Sequence, residues 1–383
     1  MPRPRVPASA YWAALAFAGV VGFSRLCFGV LIPAIRHSLP GSYVTYGWVA
    51  GANFDGFLVG IVAIPFALEF RFDRHKLNFV AILLTGLFMI ASGFSDNLLQ
   101  LAIWRFLAGL AASVATILVV SLAVDDAPEA VRGKVSGILF CGAALGMAVC
   151  GAIAPAAAPG SPFTWRDAFI AMGVFILAVM VPFARSVANV DPSPEPSSAA
   201  RGDFLTARFV LTSLMFAFFG AGFIMYSTFI VAFVAQMGIG SAAIGAVWFA
   251  MGVAGAIGGI WWGRVYDRAG KGRTIAFAMA TAAAGTLIVF AHLHVLTAIG
   301  ALVVGAASFG IPAMVSAQLR RSSTPSSFAS VWAAATAIYG IGQVVGPPLG
   351  GAVGDRYGLF STIVLSGFLW LAGAACALFI DRR

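Results

Sequence analysis

The sequence predicts an all-α integral membrane protein: twelve transmembrane helices in two six-helix pseudo-repeats around a central cavity. Three observations carry that expectation. Of 383 residues, 61% are hydrophobic and only 10% charged, whereas a soluble domain carries about 25% charged residues. Apolar stretches of about 20 residues, enough to cross a hydrocarbon core, recur along the whole chain. Lys and Arg gather on alternate connections between them, as orientation signals do.

In order, the apolar segments fall at about 11–35, 44–68, 77–95, 98–121, 134–156, 166–187, 205–237, 242–264, 273–291, 294–318, 328–352 and 358–379. The seventh is long enough to tilt or to extend beyond the bilayer. None has the short alternating pattern of a barrel strand. With both termini cytoplasmic, 18 of the 23 Lys and Arg residues lie inside, 3 outside and 2 within spans. An odd span count would scramble that bias. The net charge of +9 therefore reads as topology, not as a nucleic-acid surface. The N-terminal MPRPRVPASA precedes an apolar segment too long for a signal-peptide core, so its retention is expected. The expected location is a bacterial inner membrane.

Segment 188–204, rich in Pro, Ser and Ala, reads as a flexible cytoplasmic linker. It separates an N-terminal six-helix bundle (1–187) from a C-terminal one (205–383). No connection is long enough for a soluble domain, and no G-x-x-x-x-G-K-[ST] loop is present, so ATP hydrolysis is not expected. Cys27, Cys141, Cys150 and Cys376 all fall in apolar segments without metal or redox spacing and read as small apolar filler. His37, His75, His292 and His294 fall at span ends or in loops, so neither a metal site nor a cofactor is expected.

The two halves echo one another. Gly142, Gly146 and Gly151 in the fifth span share their spacing with Gly342, Gly346 and Gly351 in the eleventh. Glycines let helices approach closely or flex, and Pro347 follows Gly346 directly. Asp73-Arg74 after the second span is matched by Asp267-Arg268 after the eighth. Paired six-helix halves are a transporter plan.

The residues that stand out are charges in the wrong solvent. Arg25 and Asp55 sit near the centres of the first two spans, where each costs roughly 2.5–3.5 kcal/mol on insertion scales. On adjacent, oppositely running helices they could meet. Asp55 would then be a proton-coupling switch, or the pair a static one that fixes packing. Arg105, about seven residues into the fourth span, either lines a cavity or is satisfied by backbone carbonyls and snorkelling. Asn53, Tyr226, Tyr339 and Gln343 are polar positions within spans, candidates for substrate binding or for satisfied core hydrogen bonds.

Gly263-Arg264-Val265-Tyr266-Asp267-Arg268-Ala269-Gly270-Lys271-Gly272-Arg273 resembles the G-x-x-x-D-R-x-G loop signature of the major facilitator superfamily. The first-half copy is eroded, with Glu69 in place of the leading Gly and His75-Lys76 after Asp73-Arg74. Arg105 and Gly109 resemble the family's R-x-x-x-G pattern. Phe28-Gly29 and Pro33 resemble its first-helix pattern. Gly342-Gln343 through Gly350-Gly351 resembles the Gly-Pro-rich pattern of its antiporters, and Arg25 within G-x-x-R-L-x-F-G resembles an uncharacterised bacterial branch. The resemblance covers the whole chain. It implies alternating access around a central site, a cavity-lining or proton-coupling role for Arg105, and a conformational gate at Asp267, Arg268 and Gly263 with its counterpart at Asp73 and Arg74.

The expected function is secondary transport of a small solute, driven by protons or another coupling ion, by a protein that works as a monomer. Arg25 and Arg105 against Asp55 leave the mid-span region net positive, which favours an organic anion. Proton-coupled efflux of drug-like or cationic compounds is the alternative. A non-transporting sensor would need an output domain, an enzyme would need convergent catalytic groups, and a channel would need filter residues; the chain shows none of these.

Overall fold

The computed structural model describes residues 5–69, 73–157, 160–190, 206–269, 271–291, 293–323 and 327–382, and among them every regular element is helical. Gly270, most of the expected linker and the connection at 70–72 lie outside the described residues. The first span is broken. α1 (Ala8–Phe17) runs into a π-helical stretch (Ala18–Leu26), and beyond Cys27 the chain continues as α2 (Phe28–Ser38), bent by 48°. There follow α3 (Tyr43–Glu69), α4 (Arg74–Gly93), α5 (Leu98–Asp125), α6 (Arg132–Ile153) and α7 (Trp165–Ser186). The second half contains α8 (Ala207–Gln236), α9 (Ser241–Ala269), α10 (Gly272–Leu287), α11 (His294–Ser308), α12 (Ile311–Ser322), α13 (Phe328–Tyr357) and α14 (Leu359–Phe379).

Side-chain caps explain several starts by satisfying orphan N–H groups. Asp73 caps α4, Asn97 caps α5, Thr206 caps α8, and Thr164 with Asp167 forms a capping box on α7. Gly358, at φ 83°, takes the left-handed turn between α13 and α14 that a side chain would resist.

Among the described residues nine helices are long and apolar enough to cross a membrane, or ten with the bent pair counted as one span. The expected second and eleventh spans, α3 and α13, are helices of 27 and 30 residues that are not among those ten.

The chain divides into two compact units. One contains residues 1–41 and 52–194, the other 42–51 and 195–383. In the first, the α1–π segment lies against α6 with almost nothing between the backbones. A Cβ added to Gly142 would come within 2.2 Å of the Ala14 carbonyl oxygen, one on Gly146 within 2.6 Å of the Ala18 oxygen, and one on Gly22 within 2.7 Å of the Gly146 Cα. In the second, α13 meets α8 in the same manner: a Cβ on Gly342 would lie 2.2 Å from the Ala217 carbonyl oxygen and one on Gly346 2.5 Å from that of Ala221. Gly151 is buried on α6.

Cys27 and Cys150 are joined by a disulfide, with Cα atoms 5.6 Å apart. The filler reading is thereby corrected for these two, because the helix break sets Cys27 against α6. Cys141 and Cys376 are free.

Candidate functional site

In the first unit the polar groups gather where α3, α5 and the π-helical stretch meet. α3 and α5 touch backbone to backbone: a Cβ on Gly109 would lie 1.9 Å from the Asn53 carbonyl oxygen, and one on Gly56 equally close to that of Phe106. That approach carries the fully buried Asn53 amide to the Arg105 carbonyl, to which Nδ2 donates at 3.0 Å. The same nitrogen lies 3.4 Å from Ser24 Oγ.

Arg105 is also fully buried. Its Nη1 donates to the Ser24 carbonyl at 2.6 Å, and its guanidinium lies 5.1 Å from the Phe28 ring and 6.0 Å from Phe169. Helix breaks free carbonyls for such donors, and Ser24 precedes the break at Cys27. Nε and Nη2 have no hydrogen-bond partner among the described residues, nor has Asn53 Oδ1. A buried guanidinium without a counter-charge is costly, and the Nε and Nη2 donors suit a planar carboxylate.

Arg25 and Asp55 do not pair. The Arg25 guanidinium lies 3.7 Å from the Phe57 ring centroid and 5.0 Å from that of Phe54, a cation–π arrangement. No ion pair or hydrogen bond reaches Asp55 among the described residues, and Asp55 is partly exposed.

In the second unit, Tyr339 and Gln343 share a face of α13 one turn apart, and Gln343 Nε2 donates to the Tyr339 hydroxyl at 2.7 Å. The Tyr339 ring stacks on Phe216 at 4.1 Å and lies 5.9 Å from Phe219. Gly220 permits this, since its missing Cβ would meet the Tyr339 backbone carbonyl oxygen at 2.7 Å and the edge of its ring at 2.8 Å. Tyr226 is buried, its ring 6.0 Å from that of Trp370. Pro347 lies within α13, and its carbonyl oxygen faces Gly47 of α3.

Of the gate residues, Asp267 and Arg268 are exposed on the last turn of α9, and open space lies beside Gly263. The anchored residue of that signature is Tyr266, which is buried, donates to Gln318 Oε1 at 2.5 Å and carries Arg321 over its ring at 5.2 Å. Asp73 accepts from His75 N at 2.8 Å and Lys76 N at 3.2 Å, with Arg74 in the first turn of α4. The Lys76 bond, then that of His75 and the two positive side chains, holds the Asp73 carboxyl below the usual carboxylate range.

Sequence reasoning missed Ser24 and Asp355. Ser24 meets Arg105 through its carbonyl, which leaves no residue-type signal, and Asn53 through its hydroxyl, a single small polar group in an apolar span. Asp355 left a signal, as one of four Asp-Arg pairs in the chain.

Long apolar helices that enclose buried Arg, Asn and Gln side chains define a multi-pass membrane protein with a polar interior. Residues 17–379 match the family described as Uncharacterised MFS-type transporter YbfB, and the chain belongs to that family. The family is described as one of transporters. The chain's relatives include the 4-hydroxybenzoate transporter PcaK of Pseudomonas aeruginosa, 29% identical over 164 residues, 42% of this chain and 36% of the relative. The protein of that name from Acinetobacter baylyi is 30% identical over 163 residues, 42% of this chain and 35% of the relative. The probable sphingolipid transporter spinster homolog 1 of Arabidopsis thaliana is 29% identical over 170 residues, 42% of this chain and 33% of the relative. The chain thus spans about a third of the length of these curated relatives. Among solved structures, a bacterial homolog to the human lysosomal transporter Spinster superposes with a TM-score of 0.80 at 14% identity, covering 97% of this chain and 96% of that one, a likeness of fold.

Proposed function

We propose that this chain is a proton-coupled secondary transporter of small aromatic carboxylates in a bacterial inner membrane. It would have twelve spans with cytoplasmic termini, and it would expose its binding residues alternately to the two sides. The observation that carries the reading is Arg105: a fully buried guanidinium whose Nε and Nη2 are unpartnered among the described residues, near the rings of Phe28 and Phe169. A carboxylate would complete its hydrogen bonds and an aromatic ring would find apolar company beside it. Support also comes from the relatives named as transporters of 4-hydroxybenzoate, benzoate and gallate. Asp55, with no counter-charge among the described residues, is the carboxylate assigned to proton coupling. Tyr226, Tyr339 and Gln343 are assigned to substrate binding, and Asp73, Arg74, Asp267 and Arg268 to gating.

The test is uptake of radiolabelled 4-hydroxybenzoate, benzoate and gallate into proteoliposomes under an imposed pH step. Saturable accumulation of at least one, collapsed by a protonophore and lost in Arg105→Gln, is the expected result. If quaternary ammonium compounds move instead, and movement depends on Asp55 rather than Arg105, the cationic-efflux reading replaces this one.

A further inference from the structure

The first span touches α6 at a regular interval and then departs from it. Ala14 lies against Gly142, Ala18 against Gly146, and Gly22 against Gly146 from the other side, so contacts recur every fourth residue. The next contact is the Cys27–Cys150 disulfide. On α6, Cys150 keeps the step, four positions past Gly146. On the first span the step from Gly22 to Cys27 is five. An α-helix, with about 3.6 residues per turn, would bring Arg25 or Leu26 above Gly22. The i→i+5 turn of a π-helix brings the fifth residue instead. Cys27 Sγ accordingly lies 3.6 Å from the Gly22 carbonyl oxygen, at the end of the π-helical stretch Ala18–Leu26.

That one extra residue has three consequences. It sets Cys27 against Cys150, with Cα atoms 5.6 Å apart. It turns Arg25 away from α6 and onto the Phe57 and Phe54 rings of α3. It leaves the Ser24 carbonyl where Arg105 Nη1 donates to it at 2.6 Å. π-helical turns are rare, and those that occur are frequently at functional sites. Here the turn ends on a covalent restraint, and that restraint belongs to the π register, because the α register would put Leu26 opposite Cys150.

We propose that the Cys27–Cys150 disulfide clamps the first span in its π register, and that the two cysteines are thereby positioning residues for the carboxylate site at Arg105. Neither cysteine touches that site. They act through the Ser24 carbonyl, which orients the guanidinium. The positioning role rests on the carboxylate-transport reading, whereas the clamp does not.

Two experiments on the purified full chain test the two parts. The first reads the register without substrate. In Leu26→Cys/Cys27→Ala, with Cys150 kept, the clamp is gone and the α register brings position 26 opposite Cys150. Mild copper–phenanthroline oxidation should then join the two, as seen by mass spectrometry after alkylation of the remaining thiols. A Cys150 that stays open to alkylation in this variant shows that the π register needs no clamp and overturns the proposal. The second experiment reads the positioning in proteoliposomes. Cys27→Ala and Cys150→Ala each remove the crosslink whole, so both single variants and the double should raise KM for 4-hydroxybenzoate alike. The expected rise is about three- to tenfold, the value of one hydrogen bond at the site, with the maximal rate nearly unchanged. Effects that add in the double variant mark two independent packing contacts and overturn the proposal. A lower unfolding temperature at constant KM does so too, since it marks a staple with no hold on the site. If no carboxylate moves in the wild type, the transport reading fails, and the link at position 26 still decides the clamp.

Discussion

Both carboxylate oxygens of Asp355 accept backbone N–H groups from the first turn of α3, one from Tyr43 at 2.7 Å and the other from Val44 at 2.8 Å. The residue at the end of α13 thus caps a helix more than 300 positions earlier in the chain. Around it, the Tyr43 carbonyl faces the missing Cβ of Gly351, and the Tyr43 hydroxyl accepts from Gln236 Nε2 at 2.6 Å. The second unit holds the start of α3 by main chain as well as side chain. Asp355→Ala strands two donors, and a lost cap costs about 0.5–2 kcal/mol. Amide exchange at residues 43–46 should accelerate about two- to thirtyfold, with Asp355→Asn intermediate. Unchanged exchange in the alanine variant would remove the cap from the account of this helix.

Arg105 separates stability from binding. Arg105→Gln deletes a buried cation that is only partly hydrogen-bonded, so the unfolding temperature should not fall. Carboxylate affinity should drop by about tenfold or more, the value of hydrogen bonds to a charged group. Arg105→Lys keeps the charge but not the fork and should fall short of wild type. Thermal unfolding with and without benzoate reads both effects together.

Asp55→Asn should abolish pH-driven accumulation and leave exchange of substrate down its own gradient intact. Proteoliposome counterflow, run beside accumulation, measures the two. Accumulation that persists in the variant would move the coupling role elsewhere.

Glycines on one protein offer opposite outcomes. Gly109→Ala drives a Cβ into the Asn53 carbonyl, and overpacking of this kind costs about 1–3 kcal/mol. It should also loosen the Asn53–Arg105 contact and weaken transport. Gly133→Ala and Gly137→Ala on α6 meet nothing within 4 Å and should stabilise by about 0.5–1 kcal/mol through helix propensity. Thermal unfolding of the three variants checks the contrast.

Asp73 gives a pH dependence of known sign. Its carboxyl is held below the ordinary 3.8 by the hydrogen bonds it accepts. The cap is therefore complete above that value and is lost as pH falls through the lowered one. Asp73→Asn retains capping ability, so stability at neutral pH should change little while the acid limb flattens. Unfolding temperatures from pH 3 to 7 supply the comparison.

Hydropathy made the long helices legible, because lipid demands continuous apolar length and every charge in that length stands out. Arg105 and Asn53 were visible for that reason. Their partners were not, since the shorter bonds, Arg105 to Ser24 and Asn53 to Arg105, end on carbonyls that every residue has. Arg25 and Asp55 were equally conspicuous, yet spacing leaves helix rotation open. The π-helical stretch widens the turn that carries Arg25, and the guanidinium meets Phe57, two positions past Asp55. Cys27 and Cys150 stand 123 residues apart with no motif between them, so only the packing of the broken first helix on α6 could reveal them as a pair. Tyr339 and Gln343 were legible as neighbours from their one-turn interval, but the Phe216 ring that completes the stack comes from another helix.

The glycine contacts of Ala14 and Ala18 with α6, and of Ala217 and Ala221 with α13, join helices along smooth strips of main chain. Such strips leave no space for water or lipid between the paired helices. Their register is fixed from outside the strip, by the Cys27–Cys150 disulfide in the one joint and the stacked Phe216 and Tyr339 rings in the other. Each pair is thereby a welded beam, and a load placed on one of its helices is carried by both.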